Sequence, residues 1–234
     1  SCPCPGHVGN DGVRIIWRPP DVLASEDLPG NDPWWFRHSA LAGYWDMAET
    51  GKSELRKFFR IQRNAFVADL SDGERAIAFS KPPTPLAHLF APGKIVAGYV
   101  AVGSEADPSH LLSAASNAGC ITALPHVTSK AAPMQFLQWT PGDVMEDGPF
   151  GLKQPPQTAT AVSPDVILVP MLAFDANLCR LGQGAGHYDR ALSILPDAVA
   201  IGIAWSVQET DLLPADPWDI PLNAILTEKA WTTR

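Results

Sequence analysis

The sequence predicts an α/β protein with a mostly parallel sheet that is covered by helices on both faces. Two observations support this fold class. Apolar runs typical of buried strands alternate with segments of helical periodicity. In addition, 46% of the 234 residues are hydrophobic, which is enough to build a sizeable core. The run DVILVPMLAF at 165–174 is the strongest strand candidate, because strands buried on both faces read as near-continuous apolar runs.

The first elements are helices. In KSELRKFFRIQRNAFVADL (52–70) the apolar residues recur at helical spacing beside a stripe of basic residues, which predicts a helix. Arg60 and Arg63 of this stripe are interpreted as exposed to solvent. SDGE at 71–74 matches a capping box and opens a second helix. KPPTP at 81–85 must end that helix, because proline cannot continue the hydrogen-bond ladder.

Strands and helices then alternate to the end of the chain. Further helices are predicted over 109–119 and 188–195, and 141–164 is predicted to be a loop rich in Pro and Gly. The remaining apolar runs predict strands at 94–102, 120–127, 133–139, 165–174, 198–205 and 223–228.

Residues 1–48 differ from the rest of the chain. They mix Pro, Gly, Asp and Trp without a sustained period, which predicts an N-terminal extension that packs poorly and is disordered. Two alternatives stay open: an ordered arm, which the Trp residues would allow, and upstream sequence from an uncertain start site. A single domain is expected over 49–234, and the role of the extension stays open.

Composition argues against several classes of protein. A net charge of −8 and a pI near 5.1 disfavour a nucleic-acid partner. No run reaches the roughly 18 apolar residues of a membrane span, and no secretory signal is apparent. The four cysteines lack zinc-site spacing, which indicates reduced thiols. We therefore expect a cytoplasmic protein without a membrane partner.

The most informative segment is RLGQGAGHYDR at 180–190, which joins the strongest strand region to a helix. Three glycines at alternate positions let the backbone approach an anion at a helix amino terminus, which is a phosphate cradle. The alternative is a tight turn that needs positive φ. The third glycine spacing is one residue short of a dinucleotide fingerprint, and Asp46 stands where a P-loop ending in TGKS (50–53) needs glycine.

Taken whole, PMLAFDANLCRLGQGAGHYDRAL resembles the signature of the 5-formyltetrahydrofolate cyclo-ligases, also called 5,10-methenyltetrahydrofolate synthetases. Five further segments match that family in order and extend the resemblance over about residues 51–231: KSELR, GYVAVGSEADPSHLL, MQFLQW with FGLKQP, IGIAWSVQ, and LPADPWDIPLNAILTE. The resemblance implies a three-layer α/β domain of the type shared with sugar-phosphate isomerases and CoA transferases. It also implies an ATP- and Mg²⁺-dependent enzyme, a monomer, that converts 5-formyltetrahydrofolate into 5,10-methenyltetrahydrofolate.

The resemblance also implies roles for individual residues. Arg180 and Tyr188 would be catalytic, and Asp189 and Asp219 would bind Mg²⁺. The folate would contact Glu105 and a pterin pocket walled by Val100, Met134, Phe136 and Trp139. ATP would contact Lys52, Arg56, Arg180, Leu181, Gly182, Gln183, Gly184, Ala185, Gly186, His187 and Tyr188.

Three positions depart from the family pattern. His187 stands where many members have Tyr, Ala185 where some have Lys, and Asn223 where an acidic residue is common. Two alternatives to the cyclo-ligase stay open. One is a paralogue that acts on another formyl or pterin compound, for example in thiamine-related metabolism. The other is a non-catalytic folate-binding protein, although passive binding would not need the two aspartates.

Overall fold

The computed structural model describes residues 51–233, apart from the side chain of Phe150. The predicted extension over 1–48 lies outside the described residues. The described chain folds into helices and strands in the alternating order that the sequence predicts.

The helices are short apart from the first. None in the described part of the chain is long and apolar enough to cross a membrane. They are α1 (Lys52–Asp69), α2 (Asp72–Ile77), α3 (Thr84–Ala87), α4 (Ser109–Asn117) and α5 (His187–Ile194), with 3₁₀ turns at Pro149–Gly151 and Ser206–Gln208. The predicted capping box is present at the start of α2, where the Ser71 hydroxyl accepts from the Glu74 N–H and the Glu74 carboxylate accepts from the Ser71 N–H.

Within residues 51–233 the strands form one large sheet and two small ones. The strands are β1 (Ile95–Ala97), β2 (Ile121–His126), β3 (Gln135–Gln138), β4 (Glu146–Asp147), β5 (Lys153–Gln154), β6 (Ala161–Val162), β7 (Val166–Pro170), β8 (Ala173–Asp175), β9 (Arg180–Leu181), β10 (Val199–Ile203), β11 (Glu209–Thr210), β12 (Ala224–Leu226) and β13 (Trp231–Thr233).

The large sheet has the order β13-β12-β10-β7-β1-β2-β3-β6. Its central strands, from β12 to β2, are parallel. The edge strands β13, β3 and β6 pair antiparallel. The sheet is therefore mixed and mostly parallel, which confirms the predicted α/β class.

Successive residues of the central strands supply two separate cores. Leu168 packs on one face of the sheet in a cluster that includes Leu112 of α4. Ile167 packs on the other face in a cluster that includes Leu192 of α5. Because side chains alternate across a strand, one apolar run can hold helices on both faces. The result is a three-layer arrangement.

The longest predicted strand divides into two strands. Residues 165–174 form β7 in the large sheet and then β8, which pairs with β9 and β11 in a three-stranded side sheet. The chain leaves the large sheet after Pro170, and the Leu172 N–H instead donates to the Leu181 carbonyl. The amino-terminal half of α1 packs on this side sheet, where Leu55 and Phe59 meet Leu172 and Leu181 in a third core cluster.

Two other predictions were wrong in detail. The strand predicted over 94–102 is limited to β1, because the chain leaves the sheet after Gly98, whose N–H still donates to Ala123. The predicted loop over 141–164 contains the β4–β5 hairpin and the edge strand β6. Short pairs of this kind have too few residues to show a period of two.

Leu168 tests whether the large sheet carries the stability of the domain. It is completely buried in β7. Leu168→Ala should lower the free energy of unfolding by about 2–5 kcal/mol, because it leaves a cavity in a packed interior. Urea denaturation followed by far-UV circular dichroism measures this change. Leu212→Ala is the matched control, because Leu212 is 41% exposed. Equal losses in the two variants would contradict the assignment.

Candidate active site

The first turn of α1 directs a lysine to the segment that precedes β12. Lys52 donates from Nζ to Asp216 and to Asp219, each at 2.6 Å. Burial by itself would lower the pKa of Lys52, but the hydrogen bonds and charges of the two carboxylates outweigh it, and the pKa is raised. The lysine that the resemblance assigns to phosphate is therefore paired with one predicted metal ligand and with Asp216, which sequence reasoning missed.

The glycine loop lies beside the next turn of α1. Arg56 donates from Nε to the Gly182 carbonyl at 2.9 Å. Gly184 has a φ of 99°, and a Cβ at this position would lie 3.2 Å from the Arg56 Cζ. Gly186, with a φ of 66°, is the residue immediately before α5. Positive φ is thus needed at two of the three glycines, and a guanidinium lies against the loop backbone.

Arg180 joins both ends of the glycine loop to the segment before β12. Its side chain is 4% exposed, and its guanidinium donates to Asp189 Oδ1 and to the Ile220 carbonyl, each at 2.6 Å. Asp189 Oδ1 also accepts from the Ile220 N–H at 3.4 Å. Because Ile220 follows Asp219 in the chain, the two predicted metal ligands lie in the same region.

The two aspartates do not form a closed metal cage. Among residues 51–233, no group of three or more His, Cys, Asp or Glu side chains is arranged to hold a metal ion. Within the same range, the hydrogen bonds that Asp189 accepts end on Oδ1, and those that Asp219 accepts end on Oδ2. Mg²⁺ in nucleotide sites takes one or two carboxylates and completes its shell with phosphate and water. The donor set therefore fits a nucleotide-bound Mg²⁺.

Glu105 lies beyond the carboxyl end of β1 and contacts the glycine loop. Its Oε2 accepts from the Val102 N–H at 3.1 Å, and its Oε1 accepts from Gln183 Nε2 at 3.2 Å. The Arg63 Nη1 is 3.8 Å from Oε1, and the Glu105 side chain is only 11% exposed. The glutamate assigned to the folate and the loop assigned to ATP are therefore in direct contact.

The prediction of a solvated stripe was wrong for Arg63. This residue is 4% exposed and donates from Nε to Ser104 Oγ at 3.0 Å. Burial lowers the pKa of Arg63, whereas the charge of Glu105 raises it, and the net shift is downward. A signal was present, because Arg63 continues the buried spacing of i, i+4, i+8 and i+12 along α1. Arg60 is exposed as predicted, yet it donates to Gln183 Oε1 at 2.8 Å.

Two tyrosines lie near the Glu105 carboxylate. Burial and then the charge of Glu105 raise the pKa of Tyr188, whereas Arg180 opposes the shift. The same two causes raise the pKa of Tyr99 well above its ordinary value, and its hydroxyl donates to the Ala106 carbonyl. Both phenols stay protonated at neutral pH. Sequence reasoning identified Tyr188 and missed Tyr99.

The outer side of the glycine loop is basic. Burial, followed by the charges of Arg190 and Lys130, lowers the pKa of His187. Arg190 donates to the Ala185 carbonyl at 2.9 Å and lies 3.1 Å from His187 Nδ1. Ala185 and His187, two of the positions that depart from the family pattern, therefore lie against an arginine.

The predicted walls of the pterin pocket divide between the two faces of the large sheet. Val100 and Trp139 are half-buried against the core that contains α4. Met134 and Phe136 belong to the core on the opposite face. The four side chains therefore pack against two different core clusters. Leu181, predicted to contact ATP, is buried in the third core cluster between α1 and the side sheet.

Comparisons with known proteins agree with one another. The model of the 5-formyltetrahydrofolate cyclo-ligase family matches residues 48–228. The 5-formyltetrahydrofolate cyclo-ligase of Mycolicibacterium smegmatis is 33% identical over 192 residues, which cover 78% of this chain and 96% of the relative. The Escherichia coli K12 protein of the same name is 32% identical over 159 residues, 64% of this chain and 84% of the relative.

Solved structures lead to the same family. The NMR structure of Aquifex aeolicus 5,10-methenyltetrahydrofolate synthetase has a TM-score of 0.62 and 31% identity, covering 78% of this chain and 92% of that one. The synthetase of Mycoplasma pneumoniae has a TM-score of 0.58 and 26% identity, covering 76% and 99%. The family model spans most of the chain, the glycine loop contacts the partly buried Glu105, and the chain belongs to the 5-formyltetrahydrofolate cyclo-ligase family.

Proposed function

We propose that this protein is a 5-formyltetrahydrofolate cyclo-ligase that uses ATP and Mg²⁺ to form 5,10-methenyltetrahydrofolate. Family membership over residues 48–228 supports the activity. The observation that carries the proposal is the contact between the glycine loop and Glu105, made through Gln183 at 3.2 Å. An enzyme that transfers a phosphoryl group to a folate must hold both substrates side by side, and this contact joins the two expected half-sites.

The nucleotide half-site consists of the glycine loop and the cations beside it. Arg56 lies against the Gly182 carbonyl, and Gly186 precedes the amino terminus of α5. Backbone N–H groups at a helix amino terminus attract phosphate, and the guanidinium adds a fixed positive charge. Lys52 and Arg180 would neutralise further phosphate charge, and each is paired with a carboxylate in the structure.

Asp189 and Asp219 would hold the magnesium ion on the nucleotide. When bound, Mg²⁺ supplies positive charge that stabilises the phosphoryl group during transfer. The chain keeps both carboxylates in one region by bonding Asp189 to Ile220 and Asp219 to Lys52.

The formyl group of the folate is expected to react in two steps. Its oxygen attacks the γ-phosphorus and ADP leaves, which gives an imidate-like phosphate. N10 then attacks the activated carbon, the ring closes, and inorganic phosphate leaves together with the N10 proton. Glu105 would orient the folate, and the protonated Tyr188 would donate a hydrogen bond in the site. Arg180 would stabilise the charge on the phosphoryl group.

We further expect a cytoplasmic monomer with no nucleic-acid or membrane partner.

A direct assay tests the reaction. Incubation with ATP, Mg²⁺ and 5-formyltetrahydrofolate should produce the absorbance of the methenyl folate, and omission of ATP should abolish it. ATP hydrolysis stimulated by a different formyl or pterin compound would instead indicate a paralogue. Tight folate binding without turnover would indicate a non-catalytic binding protein.

Gly184→Val tests the nucleotide loop. Valine opposes the φ of 99° and places a branched Cβ only 3.2 Å from the Arg56 Cζ, in tight contact with the guanidinium. We expect the KM for ATP to rise about tenfold or more, the fold to be retained, and the KM for the folate to change less. Steady-state kinetics and circular dichroism measure these quantities. Gly93→Val is the matched control, because Gly93 has a φ of 81° in the turn that leads into β1. An unchanged KM for ATP would show that the loop is a tight turn and does not bind phosphate.

Asp189→Asn tests the metal assignment. Asparagine keeps an oxygen for Arg180 but removes the charge, so turnover should fall about a hundredfold or more, with partial recovery in excess Mg²⁺. Stability should fall by about 1–3 kcal/mol, because a buried guanidinium loses its counter-ion. Turnover across a Mg²⁺ titration, with chemical denaturation alongside, separates the two effects.

Asp165→Asn provides the control for Asp189→Asn. Asp165 forms an ion pair with Lys94 and accepts a hydrogen bond from the Ile95 N–H. Neither partner belongs to the glycine loop. Its replacement should leave the Mg²⁺ dependence unchanged. A purely structural role for Asp189 predicts a loss of stability with an unchanged Mg²⁺ titration, and that result would overturn the metal assignment.

Removal of residues 1–48 tests the domain boundary. The family match begins at residue 48, and every contact described above lies beyond that residue. The truncated protein should therefore keep a turnover close to that of the full chain. Turnover and solubility of the two proteins, measured side by side, check this expectation. Loss of soluble activity after truncation would place the extension within the folded domain.

A further inference from the structure

The side-chain amide of Gln183 bridges a cation and an anion that belong to different parts of the site. Its Oε1 accepts from Arg60 Nη2 at 2.8 Å, and its Nε2 donates to Glu105 Oε1 at 3.2 Å. The geometry points to Gln183 as a positioning residue that couples the binding of ATP to the binding of folate, with Arg60 as its anchor. This inference rests on the proposed function, in which the loop binds ATP and Glu105 binds folate.

The chemistry of an amide suits this bridge. An amide has an acceptor at one oxygen and donors at one nitrogen, whereas a guanidinium only donates and a carboxylate only accepts. Arg60 therefore sets the orientation of the amide, because its N–H can meet only the oxygen. The nitrogen is then left facing Glu105. A glutamate at position 183 would keep the bond to Arg60 but place a second carboxylate against Glu105.

Glu105 depends on Gln183 for its orientation. The Val102 N–H holds its Oε2, so that Gln183 is the hydrogen-bond partner that remains for Oε1 among the described residues. Arg63 adds a favourable charge at 3.8 Å but no short hydrogen bond. When both hydrogen bonds are made, a carboxylate that is only 11% exposed is held in one orientation, and loss of the Gln183 bond frees one of its oxygens.

Coupling follows from the position of Gln183 between Gly182 and Gly184. Phosphates that bind this loop would order the Gln183 backbone, and the ordered side chain would then hold Glu105 in the orientation that the folate requires. Thermodynamic reciprocity demands that folate binding strengthen ATP binding by the same factor. The wild-type protein should therefore bind each ligand more tightly when the other is present.

The test measures that coupling factor by isothermal titration calorimetry. The Kd of a non-hydrolysable ATP analogue is measured with and without saturating 5-formyltetrahydrofolate. Gln183→Leu keeps the approximate size but removes both bonds, and it should reduce the coupling factor about two- to fivefold, because the bonds are exposed. Gln183→Glu should weaken folate binding more than Gln183→Leu does, because it adds repulsion to Glu105.

Two cations on the surface of α1 supply a matched pair of variants. Arg60→Met removes the anchor of Gln183 and should reduce the coupling factor in the same direction as Gln183→Leu. Lys57→Met removes a neighbouring cation whose ion-pair partner within residues 51–233 is Glu54 of its own helix, and it should leave the coupling factor at the wild-type value. Both positions are exposed, so neither change should impair folding.

The outcomes separate this inference from the proposed function. If the wild type binds neither ATP analogue nor folate, the proposed function fails. If it binds both ligands independently of each other, or if Gln183→Leu keeps the wild-type coupling factor, the positioning role fails and the proposed function stands. Equal effects of Arg60→Met and Lys57→Met would also overturn the role, because they would reflect only a lost surface charge.

Discussion

One buried guanidinium holds the candidate site together. Arg180 stands at the start of the glycine loop, and its partner Asp189 stands just after the loop in α5, so that their 2.6 Å ion pair closes the loop at its base. Another N–H of the same guanidinium donates to the Ile220 carbonyl. This bond connects Arg180 to the segment that contains Asp216 and Asp219. Arginine suits this task because its planar fork can serve two acceptors at fixed angles. A guanidinium this deeply buried must have such partners, because an unpaired charge in the interior is strongly unfavourable.

The helix α1 connects the stability of the domain with the chemistry of the site. One stripe of the helix packs Leu55 and Phe59 on the side sheet, and this contact fixes the helix beside the glycine loop. The neighbouring positions then carry Lys52, Arg56 and Arg60 to three separate partners in the loops. Because residues one turn apart point in similar directions, a single helix can serve successive parts of an extended ligand.

Charge is balanced locally in the site. Lys52 is paired with two aspartates, Arg180 with one, and Arg63 lies near Glu105. In a chain with a net charge of −8, a row of unpaired carboxylates would repel an anionic nucleotide, and the basic residues of α1 offset this repulsion. Nucleotide phosphates would compete with Asp216 and Asp219 for Lys52. This competition would place Asp219 within reach of a metal ion that accompanies the nucleotide.

Much of the architecture was determined by local sequence patterns. Buried parallel strands and amphipathic helices produce apolar runs and periodic stripes, and the capping box at Ser71 depends on residues only three positions apart. The division of 165–174 into two strands was not predictable, because an apolar run does not specify which sheet its halves will join. The side sheet and the edge strands depend on partners distant in sequence, and periodicity carries no information about such pairing.

The sequence by itself also identified the glycine loop and Asp189 as candidates, because they lie in one continuous motif, and it identified Asp219 in a separate segment. Only the tertiary structure decided which of them meet. Arg63 belongs to the buried face of α1 and lies near Glu105, which is 42 positions away in the chain. Val100 and Met134 pack against different core clusters, which no local pattern indicated. Contacts between distant segments arise from the packing of α1 against the side sheet and the glycine loop, and no local pattern records that packing.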